Sequence, residues 1–171
     1  MKEKLKHIKM ILMDVDGVMT GGEIIYSSTG EELKVFNIHD GMGMALARMA
    51  GLKTGIITGR MSEMVRRRAE ELKADAVVQG QINKLAAYND IKARFNLTDA
   101  DIAFIGDDLV DLCILKRAGF SAAVADASQA VKSASDYVTA AAGGRGAVRE
   151  VVDLILESQD KLSRLVAQFS R

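Results

Sequence analysis

The sequence predicts an α/β fold: a doubly wound, Rossmann-like parallel sheet with helices on both faces. Three observations carry this expectation. Short apolar runs rich in Ile and Val alternate with amphipathic stretches of helical period, the pattern of successive βαβ units. The runs stop at Gly, Asp, Asn or Ser, in a chain of 171 residues without proline. Acidic and hydroxyl residues recur just past the run ends, where ligands bind in open α/β sheets.

The run from Ile8 to Met13 predicts a short buried strand, which stops at Asp14. Glu23 to Tyr26 and Glu32 to Phe36 read as the two arms of a hairpin, with Ser27-Ser28-Thr29-Gly30 as its turn. A helix is expected from about Gly41 to Met49, ended by Gly51. Lys53 to Ile57 predicts a second core strand, stopping at Thr58-Gly59-Arg60. Ser62 suits the N-cap of a helix running to Leu72. Ala76 to Val78 is a short strand, and Asn83 to Phe95 is helical. Ile102 to Ile105 is the next strand, ending in Gly106-Asp107-Asp108. Leu109 to Ala118 is helical, Ser121 to Val124 is a strand, and a helix begins near Ser128. Tyr137-Val138 suits an edge strand. Gly143-Gly144-Arg145-Gly146 is a loop before a helix from Ala147 to Glu157. No regular structure is assigned after Ser158. No linker or repeat divides the chain, so residues 1–171 are expected to form one domain, with a hairpin flap at about 20–37 and a tail at about 158–171.

Composition narrows the function classes. Apolar residues make up 49% of the chain, enough for a packed core. The 23 basic and 23 acidic side chains cancel, which argues against a general nucleic-acid binder. Cys113 is the only cysteine, so no internal disulfide forms and a reducing compartment is expected. Its apolar neighbours suggest an inert, buried thiol. No apolar stretch reaches the length of a membrane span, and the basic N-terminus leads into a run too short for a signal peptide. A cytoplasmic protein without membrane partners is the expectation.

Four sets of polar residues fall where such a fold gathers a site. Asp14 and Asp16 leave the first strand with Gly17 beside them, a pair suited to a hard cation such as Mg²⁺ and to covalent catalysis by one carboxylate. Thr58 follows the second core strand at a helix entrance, where backbone N–H groups favour an anion. Lys84 opens a helix as a point charge suited to phosphate. Asp107, Asp108 and Asp111 form an acidic cluster that needs a cation or donors to compensate it. Each set alone has an ordinary explanation, as a cap, a turn or a solvated charge. Their order along the chain is far more specific.

This order resembles the haloacid dehalogenase superfamily, whose four motifs match Asp14-x-Asp16, Thr58, Lys84 and Gly106-Asp107-x-x-x-Asp111. Within it the chain resembles the 3-deoxy-D-manno-octulosonate 8-phosphate phosphatases, through Asp14-Val15-Asp16-Gly17-Val18-Met19-Thr20, Glu31-Glu32-Leu33-Lys34, Ile57-Thr58-Gly59-Arg60, Gln79-Gly80, Asn83-Lys84, Ile105-Gly106-Asp107-Asp108, Val124-Ala125-Asp126-Ala127 and Gly143 through Glu150. The resemblance implies a domain without a separate cap and a homotetramer built through the hairpin, with a neighbouring subunit helping to close each site. It also implies a sugar-acid phosphate as substrate, in lipopolysaccharide precursor synthesis.

The chemistry expected of these residues follows. Asp14 attacks phosphorus and forms an aspartyl-phosphate. Asp16 protonates the leaving alcohol and then activates water. Mg²⁺ is held by Asp14, the backbone carbonyl of Asp16, and Asp107. Thr58 and Lys84 hold phosphoryl oxygens, and Asp108 and Asp111 orient metal waters or Lys84 from behind. Gly17 lets a backbone or the substrate come close. By resemblance, Arg60 and Arg68 read the substrate carboxylate; the rival account of Arg66-Arg67-Arg68 is surface pairing with Glu70 and Glu71. His39 is expected to cap or hydrogen-bond, Met42, Met44 and Met49 to fill core or interface, and Arg145 is left open between approaching the site and merely ending a helix. An exposed ribbon at the hairpin is a liability unless covered, which independently favours an oligomer. The alternatives are a nonulosonate 9-phosphate phosphatase, which Arg60 disfavours, a phospho-accepting receiver domain, which lacks the Asp-x-Asp after its first strand, and an idle structural tetramer, in which an unfilled carboxylate cluster would cost stability.

Overall fold

The computed structural model describes residues 2–170. Six parallel strands form the sheet: β1 (Met10–Met13), β4 (Lys53–Ile57), β5 (Ala76–Val78), β6 (Ile102–Gly106), β7 (Phe120–Ala123) and β8 (Tyr137–Val138), with β2 (Ile25–Tyr26) and β3 (Glu32–Leu33) pairing apart from it as an antiparallel ribbon. The order across the main sheet is β5-β4-β1-β6-β7-β8. The chain runs outward from β1 to β5, returns to β6 on the other side of β1, and continues to β8. The connections therefore diverge between β1 and β6. A crevice opens there at the carboxyl ends, as doubly wound sheets require.

β1 sits between two partners, with Met10 opposite Lys53 and Ile102 and Met13 opposite Ile56 and Ile105. All four of its residues are buried, which explains an unbroken apolar run in place of an alternating one. Helices α2 (Ile38–Met49), α3 (Glu63–Leu72), α4 (Lys84–Arg94), α5 (Leu112–Leu115), α6 (Gln129–Ala134) and α7 (Ala147–Ser158) connect and cover the strands. Every predicted strand is present. β4 and β5 have the predicted bounds, and Tyr137-Val138 is the edge strand.

Several elements differ from expectation. α2 begins three residues earlier than Gly41, because Asn37 caps it by accepting from the His39 N–H. His39 thus takes part in a cap through its backbone. The segment after Asp108 is a 3₁₀ turn (Leu109–Asp111) followed by one turn of α5, shorter than the expected helix to Ala118. Two short helices went unpredicted, α1 (Lys2–Lys6) and α8 (Leu162–Phe169), the latter in the tail. Each buries one leucine, Leu5 or Leu165, so tertiary packing sustains them more than propensity. Cys113 is half-buried and donates to the Val110 carbonyl, so it is not the buried thiol expected. Of the three methionines, Met44 is fully buried, Met42 packs against the core, and Met49 is exposed.

α2 and α7 cross closely, with Gly43 admitting the Arg149 backbone. Asp40 of α2 fastens this contact. Its carboxylate accepts from Gly146 N–H at 3.2 Å and Arg149 N–H at 3.0 Å, capping α7 from another helix. Burial raises its carboxyl above the ordinary range, opposed by those same backbone bonds. The cap fixes the loop before α7, and Gly144 N–H in turn reaches the Val18 carbonyl at 2.8 Å. Asp40→Ala leaves buried donors unpaired, so urea denaturation should show a loss of about 2 kcal/mol, with Asp40→Asn less affected.

Candidate active site

The first polar group after β1 is Asp14, whose N–H continues the ladder to the Ile105 carbonyl at 3.1 Å. Its carboxylate lies at the crevice floor with 6% of the residue exposed. Val15 N–H donates to its Oδ1 at 2.7 Å, and Lys84 Nζ sits 2.6 Å from its Oδ2. Lys84 is the first residue of α4, capped by Asn83, and is more deeply buried still. Its ammonium also donates to Asp111 Oδ1 at 2.7 Å. Asp111 is fully buried, and its other oxygen accepts from Asp107 N–H at 3.0 Å and from Asp108 N–H at 3.4 Å. Both oxygens of Asp111 are therefore committed to holding Lys84 and the turn after β6.

Asp107 differs. Its Oδ1 is buried without a hydrogen-bond partner. Asp14, Asp107 and Asp111 each place a carboxylate oxygen within 4.8 Å of the others. One ammonium cannot neutralise three carboxylates. Burial first, then Asp111 and Asp14, raise the Asp107 carboxyl from 3.8 to about 7. Burial and Asp111 raise Asp14 to about 6, against the pull of Lys84. Burial works to lower the Lys84 ammonium, but Asp111 and Asp14 outweigh it and leave it raised. An orphaned buried oxygen beside a second carboxylate, both oxygen donors, fits a hard divalent cation.

Above this floor a cavity of about 260 Å³ is lined by Asp14, Asp16, Thr58, Gly59, Arg60, Gln81, Ile82, Lys84, Asp107, Asp108 and Val110. Thr58 directly follows β4, and its hydroxyl oxygen accepts from Arg60 N–H at 3.4 Å. Arg60 Nη2 donates to Glu32 Oε1 at 2.9 Å, and its Nε is 3.9 Å from Asp16 Oδ2. Ser62 caps α3 by backbone position only, without a side-chain cap bond.

The fold thus brings Asp14, Asp16, Thr58, Arg60, Lys84, Asp107 and Asp108 to one cavity. Three predicted residues stand apart from its lining: Asp111, which holds Lys84 from beneath, Gly17 and Arg68. Gly17 has φ +87°, and a Cβ there would lie 2.1 Å from Asp107 Oδ2, so it admits the Asp107 carboxylate where it was expected to admit a backbone or the substrate. Arg68 lies on the far side of Asn37, donating to its carbonyl at 3.4 Å and stacking over Phe36, because α3 turns that face toward the foot of the hairpin. The expected surface pairs with Glu70 and Glu71 are also made, by Arg66 to Glu70 and by Arg67 and Arg68 to Glu71, and Arg66 pairs with Glu63 besides. Asp108 reaches the cavity, but its carboxylate caps its own turn through Leu109 N–H at 2.8 Å. Arg145 sits by the hairpin, in a second concavity with Gly21 and Glu23.

Sequence reasoning missed two participants. Glu32 and Lys34 of the hairpin reach back to Arg60 and Asp16. The signal available was their spacing, since residues two apart in an extended strand share one face. It also missed why the glycine loop is glycine. A Cβ on Gly143 would lie 1.8 Å from the Gly17 carbonyl oxygen.

Fold and site together define a class, and the comparisons agree with it. Residues 76–151 match the haloacid dehalogenase-like hydrolase family model. The chain belongs to the haloacid dehalogenase-like hydrolases. Its similarity runs in particular to 3-deoxy-D-manno-octulosonate 8-phosphate phosphatases. The KdsC enzyme of that name from Escherichia coli K12 is 42% identical over 165 residues, covering 96% of this chain and 88% of the relative. The structure of that phosphatase from Moraxella catarrhalis, in complex with a magnesium ion, a phosphate ion and a KDO molecule, superposes with a TM-score of 0.96 at 43% identity, covering 98% and 97% of the two chains. The cobalt-bound form from Haemophilus influenzae gives 0.90 at 40% identity, covering 94% of each.

The raised carboxyls predict a pH-dependent metal effect. A carboxyl whose folded value lies above its unfolded one binds protons more tightly when folded, so stability falls as pH rises between the two values. For Asp14 and Asp107 that window runs from about 4 to about 7. In EDTA the melting temperature should drop across it. Mg²⁺ should raise the melting temperature more at pH 8 than at pH 5, read by differential scanning fluorimetry.

Proposed function

We propose that this chain is a Mg²⁺-dependent phosphomonoesterase that hydrolyses 3-deoxy-D-manno-octulosonate 8-phosphate to the free sugar acid and phosphate, in lipopolysaccharide precursor synthesis. The observation that carries it is the Asp14–Lys84–Asp111 ion cluster at the floor of a cavity walled by Arg60. A phosphate enters such a floor, and a carboxylate elsewhere on the same molecule meets the guanidinium.

Asp14 is the nucleophile. Its oxygen forms a bond to phosphorus as the bond to the sugar oxygen breaks. Asp16 gives that oxygen its proton, then takes one from the water that attacks the aspartyl-phosphate, releasing phosphate and restoring Asp14. Lys84 and the Thr58 hydroxyl stabilise charge on the phosphoryl oxygens. Asp111 holds Lys84 in place. Asp14, Asp107 and the Asp16 carbonyl would hold Mg²⁺, which when bound supplies the positive charge that lets two anions approach. Arg60 reads the substrate carboxylate; Arg68, placed outside the cavity, supports the loop that carries Asn37. A nonulosonate 9-phosphate is the second reading, and Arg60 is the residue that argues against it.

The chain acts as one domain in the cytoplasm. The hairpin exposes Ile24, Tyr26, Leu33 and Val35, and Ile38 beyond it, an apolar face of the kind that marks an interface. A homotetramer covering it accounts for that exposure, and light scattering on the purified protein should return four times the 18.5 kDa chain mass.

Phosphate release should be measured over a panel of the octulosonate ester, the nonulosonate ester, neutral hexose phosphates and p-nitrophenyl phosphate, with Mg²⁺ and with EDTA. The octulosonate ester should be preferred and EDTA should abolish turnover. Asp14→Asn should lose about 10³-fold or more on every ester. Arg60→Ala should lose about ten- to a hundredfold in kcat/KM on the acidic sugar phosphates, the worth of a charge-assisted bond, and much less on p-nitrophenyl phosphate. Even activity across the panel would remove the named substrate.

A further inference from the structure

The hairpin is inside out. A surface strand ordinarily turns apolar residues inward and charged residues to water. Here Leu33 and Val35 are 52% and 67% exposed, while the Lys34 side chain is only 2% exposed and that of Glu32 17%. Burying an ammonium is costly unless opposite charge meets it. Lys34 Nζ donates to Asp16 Oδ1 and lies 3.6 Å from Glu32 Oε1. Glu32 Oε1 accepts from Arg60 Nη2 at 2.9 Å, and Arg60 Nε is 3.9 Å from Asp16 Oδ2. Two acids and two bases close a ring, and the hairpin supplies one of each.

Asp16 has no comparable contact to the buried floor, and Lys34 does not line the cavity. Lys34 therefore approaches Asp16 from behind, fixing one carboxylate oxygen. A carboxyl group that, once protonated, delivers its proton to a departing oxygen needs a defined orientation, and a free side chain would sample several. We propose that Lys34 is a positioning residue for this reaction. It holds the Asp16 carboxylate in line with the leaving oxygen, and Glu32 keeps Lys34 and Arg60 in place on either side. This rests on the assignment of Asp16 as the general acid.

Leaving-group dependence tests it. p-Nitrophenolate departs without needing a proton, whereas an alkoxide does not. The comparison is p-nitrophenyl phosphate against 2-phenylethyl phosphate, an alkyl ester without a carboxylate for Arg60. kcat/KM is the readout, because it excludes the later hydrolysis of the aspartyl-phosphate. Lys34→Met should lose about tenfold more on the alkyl ester than on the aryl ester, within the range ascribed to general acid catalysis, and Lys34→Arg should recover part of that difference. Equal losses on both esters, or none, would overturn the proposal and leave Lys34 as an anchor of the hairpin. Asp16→Asn run alongside separates the two assignments. A leaving-group bias in Asp16→Asn but not in Lys34→Met overturns the role of Lys34 alone. No bias in either overturns the role of Asp16, and this proposal with it.

Discussion

Like charges crowded onto a buried floor are the constraint on which the rest depends. β1 and β6 lie side by side and release Asp14 and Asp107 within one residue of the same level, and the turn after β6 adds Asp111. Such a group cannot stay fully ionised on its own. Lys84 answers part of the charge, and its place is set by α4 being capped at Asn83. What remains unanswered is the attraction for a cation and, with the cation, for a phosphate. The site is unfavourable alone and favourable when loaded, which is the sense in which binding sites store stability they later release.

Close approach is the second requirement. The turn after Asp16, the Asp107 carboxylate and the loop before α7 occupy nearly the same space. Gly17 and Gly143 make it possible by lacking side chains where they meet. Asp40 then ties the loop to α2 from the far side. The shape of the crevice is thus fixed in part by groups outside the Asp14–Lys84–Asp111 ion cluster.

The sequence announced whatever is local. Apolar runs mark the strands because parallel strands are buried on both faces. The acids, threonine and lysine were legible because each falls within three residues of a strand or helix end. What was hidden depends on pairs distant along the chain. Asp40 reads as an ordinary first-turn acid until α7 packs over it. The partner of Lys34 is set only when the hairpin folds back on Asp16. Arg68 shares a helix with Arg66 and Arg67, and only the orientation of α3 tells which arginine faces the hairpin. α8 was invisible for another reason: too short to hold by propensity, it persists through the packing of Leu165.

α7 has a consequence for the order in which the chain folds. Its head carries the glycine loop that seats against the Asp14–Gly17 turn. Just past its tail, Gln159 Nε2 donates to the Leu5 and Ile8 carbonyls, across 154 and 151 residues. The segment that leads into the first strand and the last long helix therefore complete each other. Contacts of such long range are made late, after their loop entropy has been overcome. A nascent chain holding every residue of the acid cluster still lacks the piece that shapes it. Activity should emerge with the C-terminal helix in one cooperative step, with no half-built site before it.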